Sequence, residues 1–382
     1  MSKGDRVTTH QHAIPATIDY VTSDWLEVVL GSAGVIPAGC HLHDLDVTRI
    51  GEEGLMGEIY RVRLAPVPGT DPGTDPGTDL GGVPASVVVK LPSRHEGSRA
   101  QGIALGMYEA EVRFYNELGP STPTGLPALH YAAIEPGTAD FVIVMEDLGH
   151  LSLVDQLTGM TYEQTAAALR ILADIHAAWW DRVQVPELEW IPTMSGDRVA
   201  YVDQLLPQLW PVASTVIAKA LPPGGLELGE LFSHSYLKMQ QKFSSRPWTL
   251  AHQDYRSDNL LVGDAAADEV VVIDWQGIGR GPAAYDVAYL LGASLTITDR
   301  RACERDLIAG YHKRLTSRGV EYSFEQVWDD YCYAHGLGGL AVTIVAAATL
   351  DTTSARSKTL VNCMAERYFT AALDHRCDEL MR

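Results

Sequence analysis

Asp254, Asn259 and Asp274 lie within 21 residues of one another, and their types and order suit phosphoryl transfer. The first two sit in Trp248-Thr-Leu-Ala-His-Gln-Asp-Tyr-Arg-Ser-Asp-Asn259, the third in Val270-Val-Val-Ile-Asp274-Trp-Gln. Asp254, on a polar segment after a short apolar stretch, is the candidate catalytic residue, able to orient a substrate hydroxyl and accept its proton. Asn259 offers a neutral oxygen and Asp274 a carboxylate. Hard oxygen donors of this kind suit Mg²⁺, which keeps several waters and binds phosphate oxygens as well. A loop that presents a hydroxyl acceptor, followed by a strand that delivers a carboxylate to the metal, holds ATP for phosphoryl transfer. Isolated Asp and Asn residues usually mark turns, but a turn alone does not account for His252, the order of the two motifs or the apolar strand before Asp274. His252 is expected to brace the loop through a ring hydrogen bond. Arg256 reads equally well as a phosphoryl ligand or as an exposed salt bridge and is left outside the catalytic set.

The first half of the chain holds the groups that would meet the phosphates. Gly51-Glu-Glu-Gly54-Leu-Met-Gly57 lies between two strand candidates and reads as a plain hairpin turn or as a phosphate-covering loop, with Gly54 and Gly57 letting backbone amides approach. Lys90, one of seven lysines, ends Val87-Val-Val-Lys90. It is either a phosphate-binding ammonium or an edge lysine snorkelling to water. A long side chain of that kind needs a carboxylate to fix it. Glu109 and Glu111 are two apart on a helical segment and face different directions. Glu111, one turn before Phe114-Tyr115, is the expected partner. Phe141-Val-Ile-Val-Met145-Glu146-Asp147-Leu148 reads as a strand opening into a hinge, where Met145 would flank a nucleotide base and the Glu146 carbonyl and Leu148 amide would read its edge; a core strand with an acidic exit turn is the other reading.

The order of elements must position these groups. A helix is expected over 16–30, with Thr22, Ser23 or Asp24 as its cap, followed by strands at 44–50, 57–64 and 85–91, a helix over 102–118 and a hairpin through 131–134 and 141–145. Helices then dominate: 151–158, 162–180, a broken pattern through 195–242, 283–292, 301–317, 323–348 and 355–378, with short strands near 260 and 270. The Pro-Gly-Thr-Asp repeat at 68–79 is rich in turn formers and has nothing to bury, so it is expected to be an exposed insertion at 66–83. Strand-rich followed by helix-rich sequence implies an α+β fold with segregated lobes and a cleft between them. The expected division is 1–147 as a nucleotide-binding lobe and 148–382 as a catalytic and substrate-binding lobe.

Composition narrows the partners. With 29 basic against 49 acidic residues the formal charge is −20, which argues against nucleic acid and anionic membranes as partners. No apolar run approaches the roughly 20 residues of a membrane span, and the first ten residues lack a secretory core. Five scattered cysteines form neither a metal spacing nor a disulfide framework. A reducing cytoplasm is the expected compartment, and the chain is expected to be a monomer or a homodimer.

Taken in order, Gly54-Leu-Met-Gly57-Glu-Ile-Tyr-Arg-Val, Val88-Val-Lys90, Glu111-Val-Arg-Phe-Tyr, Val144-Met-Glu-Asp-Leu148, Leu172-Ala-Asp-Ile-His-Ala-Ala-Trp-Trp180, His252-Gln-Asp-Tyr-Arg-Ser-Asp-Asn259 and Ile273-Asp-Trp-Gln276 resemble the aminoglycoside phosphotransferase and choline-kinase-like superfamily. The resemblance implies a protein-kinase-like two-lobed fold, with a small β-rich N-lobe and a large mainly helical C-lobe. It implies ATP and Mg²⁺ as cofactors and a hydroxylated small molecule as substrate, in a metabolic or detoxifying reaction. An antibiotic O-phosphotransferase for aminoglycosides or macrolides is the alternative within the superfamily, and a catalytically silent nucleotide-binding interaction protein is the alternative outside enzymology. Where the superfamily usually has His-Gly-Asp, this chain has His252-Gln253-Asp254, which predicts an adjusted loop. Asp286, in Gly281-Pro-Ala-Ala-Tyr-Asp286, and His176 are implied to be structural.

Overall fold

A computed structural model describes residues 12–50, 56–67, 82–263, 269–349 and 354–382. Gly51, Gly54 and the repeat at 68–79 lie outside them. The chain divides into two compact units: Met1–Pro120 with Pro127–Leu148, and Ser121–Leu126 with Gly149–Arg382. The first is small and rich in β-structure and the second large and mainly helical, the two lobes of a protein-kinase-like fold.

The first unit contains α1 (Ser23–Ser32), β1 (Asp46–Arg49), β2 (Gly57–Arg63), β3 (Ser86–Pro92), α2 (Glu96–Ala104), α3 (Met107–Arg113), β4 (Leu129–Ile134) and β5 (Phe141–Glu146). Its sheet runs β1-β2-β3-β5-β4, with antiparallel neighbours throughout. Thr22 caps α1, accepting a hydrogen bond from the Trp25 amide at 3.2 Å. Leu26, Val29 and Leu30 of α1 pack in one core with Tyr60 and Val62 of β2, Val87, Val89 and Leu91 of β3, and Val142 and Val144 of β5. Each such buried side chain contributes about 1.5–3 kcal/mol. Because side chains alternate along a strand, the same register turns Val88 and Lys90 to the other face. The helix expected over 102–118 is three pieces. Gly106, at φ 63°, separates α2 from α3, and the last turn, Phe114–Leu118, widens into a π-helical one.

The second unit contains β6 (Ser152–Leu153), α4 (Tyr162–Trp179), α5 (Asp197–Ile217), α6 (Gly225–Ser233), α7 (Tyr236–Phe243), β7 (Trp248–Ala251), β8 (Leu260–Val262), β9 (Val270–Val272), β10 (Gly279–Pro282), α8 (Ala284–Ser294), α9 (Ile297–Ser317), α10 (Phe324–Ala334), α11 (Gly338–Thr349), α12 (Ala355–Asp374) and α13 (Cys377–Met381). Two sheets position the loop that follows β7: β7 pairs with β10, and β8 pairs with β6 and β9. The helix expected over 151–158 is not formed. Ser152 and Leu153 pair instead with Val262 and Leu261, so an available strand edge overrides weak local preference.

The helix expected over 323–348 is also two, broken at 335–337. An added Cβ would stand 1.9 Å from the Tyr285 hydroxyl at Gly338 and 2.1 Å from the Tyr368 ring at Gly339. These glycines form a notch that two tyrosines fill. Contrary to the composition reading, Phe324–Thr349 together has the length and apolarity of a membrane span, yet 67% of its most apolar part is buried in the protein. Tyr331 and Tyr333 are core residues.

Candidate active site

In the first unit, Lys90 on β3 is buried and its Nζ lies 2.7 Å from both carboxylate oxygens of Glu111 on α3. Tyr108, Glu111 and Val112 form the buried stripe of this helix, whereas Glu109 faces outward to Arg113 at 3.7 Å. A buried pair of this kind loses about 3–5 kcal/mol when one partner is removed, because the other charge is left uncompensated. Gly57 opens β2 opposite Pro92. A Cβ there would meet the Leu91 carbonyl at 3.0 Å and Lys90 Cε at 3.4 Å, so the glycine admits the lysine stem. Met145 is buried on β5, beside Val88 and Leu129. The Glu146 side chain is exposed; its amide donates to the Ala128 carbonyl at 2.9 Å and its carboxylate accepts from the Ala128 amide at 3.2 Å. Leu148 is buried. Between them Asp147 accepts from Arg61 Nε at 2.6 Å, Arg61 Nη2 at 3.0 Å and Ser86 Oγ at 2.5 Å, which ties the strand exit to β2 and β3.

In the second unit, the loop after β7 is held from below by one carboxylate. Asp286, on the first turn of α8 and fully buried, accepts from the His252 amide at 2.7 Å and the Gln253 amide at 2.8 Å. His176 Nε2 stands 3.4 Å from the same carboxylate while its Nδ1 meets the Tyr311 hydroxyl at 2.8 Å. His252 then locks the turn. Its Nδ1 accepts from the Asp254 amide at 3.3 Å, so the proton is on Nε2, which donates to the Ile273 carbonyl at 2.9 Å.

Gln253 stands at φ 65°, the left-handed region that a glycine would occupy without strain. A side chain in that conformation costs about 1–2 kcal/mol. Room for the larger side chain comes from Gly279, where an added Cβ would fall 1.9 Å from Gln253 Nε2.

These constraints deliver Asp254 to a directional setting that leaves Oδ2 with a single hydrogen bond. Its Oδ1 accepts from the Tyr289 hydroxyl at 2.9 Å and lies 3.1 Å from Arg256 Nε; its Oδ2 accepts from Asn259 Nδ2 at 2.8 Å. The same Nδ2 donates to the Asp254 carbonyl at 2.8 Å. With the amide nitrogen committed to the loop, Oδ1 of Asn259 is left as a neutral oxygen donor. Asn259 and Asp274 flank the ends of paired strands, since Leu260 opposes Val272 and the Ile273 amide donates to the Asn259 carbonyl at 3.0 Å. Asp274 is itself left-handed, at φ 64°, and accepts from Gln276 Nε2 at 3.1 Å. An amide oxygen and a carboxylate from adjoining strand ends are hard donors of the kind that suit Mg²⁺.

Two residues at this site lay outside the predicted set. Tyr289 is three residues after Asp286 on α8, so helical spacing places both on the loop-facing side; burial and the Asp254 carboxylate push its phenol well above the ordinary range and keep it a donor. Arg256 is no exposed salt bridge. It spans Asp254, Asp258 at 3.2 Å and Gln156 at 2.7 Å, and although burial opposes its charge, Asp254 raises its pKa further. Among the predicted residues, the structure joins Lys90 to Glu111 and Asp254 to Asn259, and sets Asp274 next to the residue bonded to Asn259.

The comparisons bear on what such a site belongs to. An uncharacterised kinase-like protein of Caenorhabditis elegans is 22% identical over 235 residues, 58% of this chain and 60% of that relative, so the match spans less than two thirds of its length. A choline/ethanolamine kinase family protein of Mesorhizobium loti superimposes with a TM-score of 0.52 at 13% identity, covering 93% of this chain and 99% of the other. The choline kinase of Cryptosporidium parvum gives 0.53 at 11% identity, covering 93% and 96%. At such identities these likenesses concern the fold. The sequence profile of the phosphotransferase enzyme family, in contrast, matches residues 80–322, well over half of the chain. The chain therefore belongs to the phosphotransferase enzyme family, within the aminoglycoside phosphotransferase and choline-kinase-like superfamily.

Proposed function

We propose that this protein is an ATP- and Mg²⁺-dependent phosphotransferase acting on a hydroxyl of a small molecule, in a metabolic or detoxifying role. The observation that carries the reading is the Asp254 carboxylate, with Oδ1 held by Tyr289 and Arg256, and Oδ2 held by the Asn259 amide that leaves its oxygen for a metal. Residues 1–147 serve the nucleotide: Lys90, held by Glu111, faces the α- and β-phosphates, Gly54 and Gly57 admit backbone amides to phosphate oxygens, and Met145, Glu146 and Leu148 frame the base. Residues 148–382 serve the acceptor. Asn259 and Asp274 would hold Mg²⁺, which when bound neutralises charge on the phosphate oxygens.

Asp254 orients the acceptor hydroxyl and takes its proton as the new oxygen–phosphorus bond forms and the bond from the γ-phosphorus to the β-phosphate oxygen breaks, releasing ADP. The contribution of the chain is positioning and charge compensation rather than a covalent intermediate. With Gln253 in the left-handed turn, Asp254 meets Tyr289, Arg256 and Asn259, which supports turnover over a silent binding role.

Incubating the purified protein with Mg-ATP and a panel of amino alcohols, sugars, aminoglycosides and macrolides is expected to yield a phosphorylated product by mass spectrometry. Calorimetry that finds no Mg-ATP binding would overturn the reading, and nucleotide binding without turnover on any acceptor would move it to a silent binding protein.

A further inference from the structure

His335 has no place in that chemistry, and its surroundings are unusual. It ends α10 with only 2% of its surface exposed, and neither ring nitrogen has a hydrogen-bond partner among the described residues. A neutral imidazole always carries one N–H donor and one lone pair, and leaving such groups unmade in the interior costs about 1–3 kcal/mol each. Native proteins rarely tolerate this without an unseen partner. The ring lies parallel to that of His375, with centroids 5.0 Å apart, and edge-on to Tyr331 at 4.6 Å.

Glu304 on α9, His335 and His375, which follows α12, each present a ligand atom within 4.8 Å of the other two. Glu304 is already oriented by neighbours that all meet Oε2: Arg300 Nη1 at 2.6 Å, Tyr331 Oη at 2.7 Å and His375 Nε2 at 3.3 Å. Oε1 is left for another partner. Hydrogen bonds of this kind to one oxygen are how metal-binding carboxylates are held.

We propose that Glu304, His335 and His375 form a second cation site, selective for a borderline transition metal of the Zn²⁺ class and independent of the phosphotransfer reading. Two imidazole nitrogens and a carboxylate oxygen are a zinc donor set, with a fourth position left to water. Charge sets the selectivity. Asp374 and Glu304 are balanced by Arg300 and Arg301, both of which bond to Asp374, so a hard ion attracted by net charge alone gains little there. An ion that bonds strongly to nitrogen gains most. Burial, His375 and Arg300 keep His335 well below the ordinary imidazole range, so its lone pair is available. Loading requires His375, whose Nε2 is also 3.5 Å from Arg300 Nη1, to turn from these contacts toward the ion.

The site would clamp α9, α10 and α12 together behind the catalytic loop. α12 carries Tyr368, whose hydroxyl reaches the Tyr289 carbonyl at 3.3 Å and whose ring needs Gly292 of α8, where an added Cβ would stand 2.8 Å from it and in ordinary contact with His335 Nδ1 at 3.5 Å.

The test is a Co²⁺ titration of the EDTA-stripped full-length protein. A single equivalent is expected to give visible d–d absorption, abolished by Zn²⁺ and unaffected by excess Mg²⁺, while Zn²⁺ raises the thermal midpoint. His335→Gln and, separately, His375→Gln, each first checked for folding by circular dichroism, should lose both the absorption and the thermal shift. Wild-type protein that takes up no Co²⁺ overturns the proposal. So does absorption that survives in both variants, which would assign the ion to other histidines. Should His335→Gln not fold, the wild-type titration and His375→Gln decide.

Discussion

The carboxylate of Asp254 meets a phenol, a guanidinium and an amide, and each neighbour constrains a different part of it. Asp254→Asn keeps the volume and removes the proton acceptor, so kcat should fall by roughly 10²–10⁴-fold, with a much smaller change in Mg-ATP affinity by calorimetry. Near-normal kcat in the folded variant, once an acceptor is in hand, would reject the assignment. Asp274→Asn should weaken Mg-ATP binding and turnover together. Tyr289→Phe removes one hydrogen bond to the Asp254 carboxylate, a loss of about 1.5–3 kcal/mol, so turnover should drop by roughly 10–150-fold with KM unchanged. The Gln253–Gly279 pair makes a separate prediction. Gly279→Ala places a methyl where the Gln253 amide lies and should destabilise the fold, whereas in a Gln253→Gly background it should cost less. A coupling energy of about 0.5–3 kcal/mol is expected from the cycle of denaturation midpoints, and strict additivity would show that the two do not share space.

Elements reach the site through a few long-range polar ties. α8 holds the loop after β7 because Asp286 accepts two consecutive backbone amides. Hydrogen bonds to a charged group are worth about 1.5–3 kcal/mol each, so Asp286→Ala should lower stability by about 3–6 kcal/mol. α4 and α9 are tied by Asp174, which accepts from Arg314 and Arg318 at 2.7 Å. Burial opposes the Asp174 charge, but the two arginines outweigh it and hold its pKa below the ordinary carboxylate range. With the folded pKa depressed, the unfolded chain binds the proton first, so this tie stabilises fully above the ordinary Asp pKa and is lost as pH falls through the folded value. Asp174→Asn should therefore lower stability at pH 7 and flatten the acid limb of a stability–pH profile. An acid limb as steep as that of the wild type would contradict the assignment.

At the scale of the whole molecule, charge dominates. A net −20 opposes the approach of an anion such as Mg-ATP, so the proposed nucleotide site needs local cations, the role proposed for Lys90. Salt screens charges beyond about 8 Å at physiological ionic strength. The association rate constant of a fluorescent Mg-ATP analogue, measured by stopped flow, should therefore rise with added salt; a fall would mean that a positive local field steers the nucleotide despite the overall charge.

What the sequence determined by itself is carried over short separations: the order Asp254–Asn259–Asp274, the strand that carries Lys90, and the choice of Glu111 over Glu109 as its partner, which helical spacing and one apolar neighbour already distinguish. Period and spacing are properties of consecutive residues, so they can be read before anything folds. Tertiary structure decided what those residues touch. Asp286 lies more than thirty residues from the amides it accepts, and Tyr289 the same from Asp254. Helix ends were decided there too. Ser152–Leu153 became a strand because β8 offered an edge, and 323–348 divided because Tyr285 and Tyr368 needed the Gly338–Gly339 notch. The Glu304–His335–His375 cluster has no signature in the sequence, because its three residues sit on separate helices and meet only when those helices pack.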